Sequence, residues 1–223
     1  LSDAADDVTS RTRKSVTFCV LGDGKPTMTE AVESFVTARG DAVPQWVSAG
    51  VHDQAPVSGS LRGLFSGGTL ADEAMVTAAS TLGGIHSNIP LSPDLALNAD
   101  HKNAGHIVID FGDDDLTRGR AHPMIDPTLR LERLAAEALD ETCGVILLDV
   151  VLGYVADPDP AAALAPVIQS IHKPVIISLI GTDSDQQGWH ATADRLANAG
   201  AEVYLSNAQA TLRAVELLTG ESR

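Results

Sequence analysis

Apolar residues fall in short, unbroken runs separated by amphipathic stretches. The runs Val16–Leu21, Leu61–Phe65, His106–Phe111, Gly144–Val151, Pro174–Ile180 and Glu202–Leu205 each have strand length. Most are continuous rather than alternating, the pattern of strands covered on both faces of a parallel sheet. Between them, Thr29–Arg39, Leu70–Leu82, Pro127–Leu139, Pro160–His172, Ser184–Ala199 and Ala208–Leu218 read as helices. Asp126-Pro127 reads as an N-cap followed by proline at the first helical position, and Gly40 and Gly200 stand where helices should stop. Pro166, inside the fourth helical segment, predicts a kink or a late start.

Strand–helix alternation with short links predicts right-handed βαβ crossovers. Over residues 61–223 the pattern fits an α/β fold, a flavodoxin-like doubly wound parallel sheet of about five strands. Residues 1–40 hold one strand and one helix, too little for a core of their own. They are expected to be the end of a preceding α/β domain, joined by a linker over 41–60 that contains Pro44, Gly50, Pro56 and Gly59. Leu1 is not an initiator methionine, so the chain is expected to be a fragment or processed piece.

Composition narrows the functional class. With 44% hydrophobic but only 4% aromatic residues, the core must pack through small and branched aliphatics. A formal charge of −15 argues against a basic footprint for nucleic acid and against an anionic membrane surface. No apolar run approaches the roughly 20 residues of a spanning helix, and no basic-then-apolar leader is present. A soluble, cytoplasmic protein is expected. Cys19 and Cys143 lie in apolar runs and read as reduced core residues. His52, His86, His101, His172 and His190 lack metal-ligand spacing, and His106 reads as structural. Neither a Gly-x-Ser-x-Gly elbow nor a dinucleotide-binding glycine fingerprint occurs.

Candidate chemistry gathers where strands of such a sheet end. After the run at 61–65 comes Ser66-Gly67-Gly68-Thr69, a glycine turn opening a helix. It reads either as a plain βα turn or as a set of backbone amides aimed at an anion. The stretch Asp110–Pro127 is longer and more charged than a βα link needs. In it, Gly112 offers a further amide, Arg118 and Arg120 are candidate clamps for a carboxylate or phosphate, and His122 is a candidate acid or base. Asp113–Asp115 are candidate Mg2+ ligands or a solvated loop, and Asp126 is a supporting residue or a simple cap. Asp149 interrupts an apolar strand, so its carboxylate must be paired, for instance with an arginine of the preceding loop, or contact a ligand. In the fourth turn, Asp183 or Ser184 reads as a helix cap.

Three segments together carry a resemblance: Leu61–Leu70, Asp110–Pro127 with Thr-Arg-Gly-Arg and His-Pro-Met-Ile-Asp-Pro, and Ile146–Pro160 with Leu-Leu-Asp-Val-Val-Leu-Gly-Tyr. Over about residues 61–218 the chain resembles the FdrA family, usually labelled acyl-CoA synthetase FdrA and similar to succinyl-CoA synthetase. The resemblance implies a CoA-ligase-type domain that pairs with another around a phosphate site. Gly112-Asp113-Asp114 then occupies the place of a phosphate-holding glycine-rich loop, with acids replacing glycines. The phosphohistidine setting of the synthetases has only a poor echo in Gly188-Trp189-His190-Ala191. The resemblance implies that the family's amino-terminal CoA-binding domain lies outside these residues, so CoA or nucleotide is less expected on this chain alone.

The main functional expectation is therefore a component of a carbamoyl or acyl transferase. It would be similar to the oxamate carbamoyltransferase of purine and allantoin nitrogen breakdown, with carbamoyl phosphate as the implied substrate. In this reading Ser66, Gly67, Gly68, Thr69, Gly112, Asp113 and Asp114 line the anion site, while Arg118, Arg120 and His122 act on it. The alternatives are a nucleotide-forming acyl-CoA ligase and a non-catalytic binding subunit. Expected partners are a small anionic substrate and either a second copy or a chain carrying the rest of an FdrA-like protein.

Overall fold

A computed structural model describes residues 2–98 and 105–221. The chain divides into two units, Leu1–Gln45 and Trp46–Arg223. The first contains α1 (Ser2–Arg11) and α2 (Met28–Ala38). A capping box starts α2: the Glu30 N–H donates to Thr27 Oγ1, and the Thr27 N–H donates to the Glu30 carboxylate. The strand expected over Val16–Leu21 does not form, and Val16 and Phe18 are exposed. A strand needs a neighbouring strand to build a ladder, and among its described residues this unit contains no strand.

The second unit runs β1 (Ser48–Ala49), β2 (Ser60–Phe65), α3 (Gly68–Leu82), β3 (Ile85–Ser87), β4 (His106–Asp110), α4 (Asp114–Thr117), α5 (Thr128–Leu139), β5 (Cys143–Val151), α6 (Pro160–Ile168), β6 (Val175–Ile180), α7 (Trp189–Asn198), β7 (Glu202–Tyr204) and α8 (Asn207–Thr219). The strands form one seven-stranded sheet in the order β1-β7-β6-β5-β2-β4-β3. All neighbours pair in parallel except β1 with β7. The α/β doubly wound expectation holds, with two short strands added at the edges. β1 lies inside the stretch expected as a linker, and its two residues leave no periodic trace in the sequence. None of the described helices is long and apolar enough to cross a membrane.

Helices α3 and α8 pack together on one face, and α5, α6 and α7 cover the other. The continuous apolar runs are explained by this double cover: eight of the nine residues of β5 are buried. At the amino ends of the strands, Arg62 is buried and satisfied by Glu137, Gly105 O and Thr142 Oγ1. That network fastens β2 to the neighbouring elements and leaves the carboxyl ends free for chemistry. Gly63 permits close packing in β2, since a Cβ there would lie 2.7 Å from Val108 Cγ2 and 3.0 Å from Phe65 Cε2. Gly63→Ala is expected to lower stability by about 1–3 kcal/mol in urea unfolding through overpacking. A midpoint equal to wild type would show that β4 yields at this contact.

Two helix boundaries differ from the sequence reading. Pro166 is accommodated inside α6, which ends at Ile168, before the expected His172. The helix expected from Ser184 begins only at Trp189. Asp185 accepts the Thr182 N–H, and Asp183 accepts the His190 N–H within the first turn of α7. These local side-chain acceptors give the backbone at 182–188 an alternative to helix.

Candidate functional site

From β2 the chain winds outward to β3 and β4, then returns past β2 to β5, so the winding direction reverses between β2 and β5. At such a reversal the loops leaving two adjacent strands part and open a crevice at their carboxyl ends. The β2–α3 turn, Ser66–Gly67, sits at its centre. Asp149, fully buried in β5, bridges the crevice by accepting from the Ser66 N–H at 2.7 Å and from Ser66 Oγ at 2.9 Å. From α5, Arg130 donates to both the carboxylate and the carbonyl of Asp149, at 2.6 and 2.7 Å. Burial pushes the Asp149 carboxyl upward in pKa, while Arg130 and the Ser66 donors oppose the rise. Asp149 is thus an anchor for the glycine turn, and its partner is Arg130 rather than an arginine of the 110–127 stretch.

With Ser66 held, α3 starts at Gly68 with Gly67 as its N-cap and no side-chain acceptor on its first amides. Those N–H groups face the carboxyl end of the sheet with the positive end of a 15-residue helix behind them. Thr69 is exposed in the same turn.

The β4 loop closes on this turn. The Gly112 N–H donates to Asp110 Oδ1 at 2.8 Å, and the Asp110 backbone is bracketed by the Asn88 side chain through two bonds of 2.9 Å. A Cβ at Gly112 would lie 2.7 Å from Ser66 O, 2.9 Å from His122 Nε2 and 3.1 Å from Asp110 Oδ1. A Cβ at Gly68 would lie 3.1 Å from Asp110 Oδ2, and one at Gly67 would meet Met124 Cε at 3.6 Å. Ser66, Gly67, Gly68, Asp110, Gly112 and His122 therefore converge. The Met124 N–H donates to His122 Nδ1, so a neutral ring carries its hydrogen on Nε2, toward Gly112. Asp110 is buried, and burial raises its pKa; the Gly112 N–H and His122 oppose this while Asp149 and Asp113 add to it.

The remaining expected residues lie elsewhere. Arg118, at the C-cap of α4, is exposed to solvent and pairs with Asp115 of that helix. Arg120 is exposed and lines a cavity with Phe111, Leu116 and Asp126 on the other side of the loop. Among the described residues the expected guanidinium clamp is not seen on the glycine turns: Arg118 pairs with Asp115, and Arg120 lines this cavity. Asp113 caps α4 by accepting the Asp115 N–H, and Asp114 is exposed in its first turn. Among the described residues no group of three His, Cys, Asp or Glu side chains is placed to hold a metal ion. Asp126 accepts from Thr128 N–H and Oγ1, which lowers its pKa; the N-cap expected at Asp126 falls instead on Pro127, because α5 starts one residue later, at Thr128. His101 lies outside the described residues.

Sequence reasoning passed over Arg130 and Asp110. A signal for Arg130 existed: Arg130, Leu134 and Glu137 fall at i, i+4 and i+7 and are all buried. Charged residues on the buried stripe of an amphipathic helix announce buried partners, here Asp149 and Arg62.

Comparison with known proteins places this geometry. Residues 64–217 match the CoA-ligase family, and the matched span begins in β2 and ends in α8. YahF of Escherichia coli (strain K12), itself described as uncharacterized, is 36% identical over 167 residues, 71% of this chain and 32% of that protein. The chain thus spans about a third of the length of this relative. The family match supports a relation to the CoA-ligase domain of succinyl-CoA synthetase. With its doubly wound sheet and glycine turn at the point of reversal, this chain belongs to the CoA-ligase family.

Proposed function

We propose that the second unit is the oxyanion-handling module of an acyl-CoA ligase-like assembly. The first-turn amides of α3, the Asp110–Gly112 turn and His122 would hold a phosphate or carboxylate group. The observation that carries this reading is the convergence of those elements around Gly112 at the carboxyl ends of β2 and β4. Arg118 and Arg120 were the residues on which carbamoyl transfer rested. With both turned elsewhere, the acyl-CoA ligase-like alternative takes precedence.

In our reading a partner chain, or another part of a longer FdrA-like protein, contributes the CoA-binding surface. Of the two cysteines expected in the core, Cys143 is buried, and burial pushes its thiol up to about 11, whereas Cys19 is exposed.

Asp110 gives the reading a test with a definite sign. Above its raised pKa the carboxylate repels an anion at the α3 amides. Protonation as pH falls removes the repulsion and supplies a donor. Sulfate keeps its charge across the range, so calorimetry should show sulfate affinity rising as pH falls. Asp110→Asn should bind roughly tenfold more tightly near neutral pH, about 1.4 kcal/mol, with a flatter profile. Absence of saturable sulfate binding in both proteins would overturn the proposal.

A further inference from the structure

The cavity beside Arg120 lies on the same loop as Gly112 and His122, and Phe111, Ala121 and Pro123 are among its walls, but none of Ser66, Gly68, Asp110, Gly112 or His122 lines it. Its volume is about 200 Å3, roughly the share of six or seven liquid waters. The floor is apolar: Phe111 is 5% exposed, and Leu116 and Leu129 are half-buried against the same core. Its rim carries one cation, Arg120, and one carboxylate, Asp126. No hydrogen bond or ion pair holds the Arg120 guanidinium among the described residues. Asp126 uses Oδ1 for Thr128 and leaves Oδ2 open.

Arg120 and Asp126 sense each other electrostatically, since the arginine contributes to lowering the carboxyl's pKa, yet they form no direct contact. A cation and an anion held apart at the mouth of an apolar recess do not match a simple anion, which Asp126 would repel. They match a molecule that carries an ammonium and a carboxylate on one carbon, with an aliphatic body behind them. We infer that this cavity is a binding site for a small aliphatic α-amino acid. Its carboxylate would lie on Arg120, its ammonium on Asp126 Oδ2, and its side chain against Phe111, Leu116 and Leu129.

L-leucine is a suitable probe, with 4-methylpentanoate and isopentylamine as analogues that each lack one charge. Calorimetry or protein-observed NMR is expected to show saturable leucine binding, with each analogue at least tenfold weaker, since a charged hydrogen bond is worth about a factor of ten or more. Arg120→Gln, a change at an exposed residue, should weaken leucine at least tenfold and leave 4-methylpentanoate no better than isopentylamine. Leu116→Trp should fill the recess and remove binding, and NMR should report the fold of each variant. Asp110→Asn, an isosteric change expected to alter sulfate affinity, should leave leucine affinity unchanged, so failure of this inference is distinguishable from failure of the proposed function. Absent leucine binding, binding no tighter than the analogues, or binding unmoved by Arg120→Gln and Leu116→Trp overturns the inference.

Discussion

Replacing Arg130 with methionine is expected to cost about 3–5 kcal/mol of folding stability, because it removes one partner of a buried ion pair and leaves the other uncompensated. The pair is dry: the Arg130 side chain is 6% exposed and that of Asp149 is 0%. For a chain of this size, such a loss corresponds to a Tm lowered by about 6–20 °C. The deficit should depend on pH in a stated direction. Without Arg130, burial drives the Asp149 carboxyl further above its unfolded value. The folded state then binds more protons than the unfolded one, so stability falls as pH rises through that window and recovers on acidification. Thermal melts of variant and wild type at pH 5 and pH 8 should therefore show the smaller deficit at pH 5. Adding Asp149→Asn to Arg130→Met should restore part of the loss, since a neutral amide needs no cation. A deficit that ignores pH and is unrelieved in the double variant would mean that Arg130 acts only by filling space.

The second large effect is expected at Gly112. An added methyl group meets a backbone carbonyl at 2.7 Å, and its other neighbours are His122 and Asp110. The Ser66 carbonyl belongs to a turn anchored through Asp149, so it has little room to retreat. Gly112→Ala should cost about 1–3 kcal/mol and weaken sulfate binding about tenfold or more, because His122 and Asp110 must move apart. Gly67→Ala is the informative contrast. Its backbone is extended, with φ −154°, and its Cβ would meet only Met124 Cε, at 3.6 Å. That change should stay within about 0.5 kcal/mol. Equal losses at the two positions would refute the claim that close approach, rather than backbone freedom, selects glycine at 112.

The comparison between these two glycines shows how far one-dimensional reading reached. Ser66, Gly67, Gly68 and Gly112 were marked as backbone donors because strand, glycine and helix follow one another, and that is local information. Which glycine is obliged by its surroundings depends on Ser66 O and His122, distant along the chain but adjacent in space. The arginines were misread for the same reason. A cluster of arginine and aspartate in one long loop says that charges will neutralise one another, and here Arg118 found Asp115 three residues away. The loop's composition could not disclose that Arg120 would face a separate recess.

Hydrophobic patterning by itself determined the α/β class, the parallel central strands and the helices between them. Continuous apolar runs and 3.6-residue stripes are properties of neighbours along the chain and survive without knowledge of the fold. The tertiary structure alone decided the rest. It left Val16–Leu21 without strand structure, added β1 and β3 as short edges, and matched Arg130 to Asp149 across 19 positions. Strand pairing and buried charge are satisfied by whichever group the folded chain brings within about 3 Å, and no spacing in the sequence specifies that group.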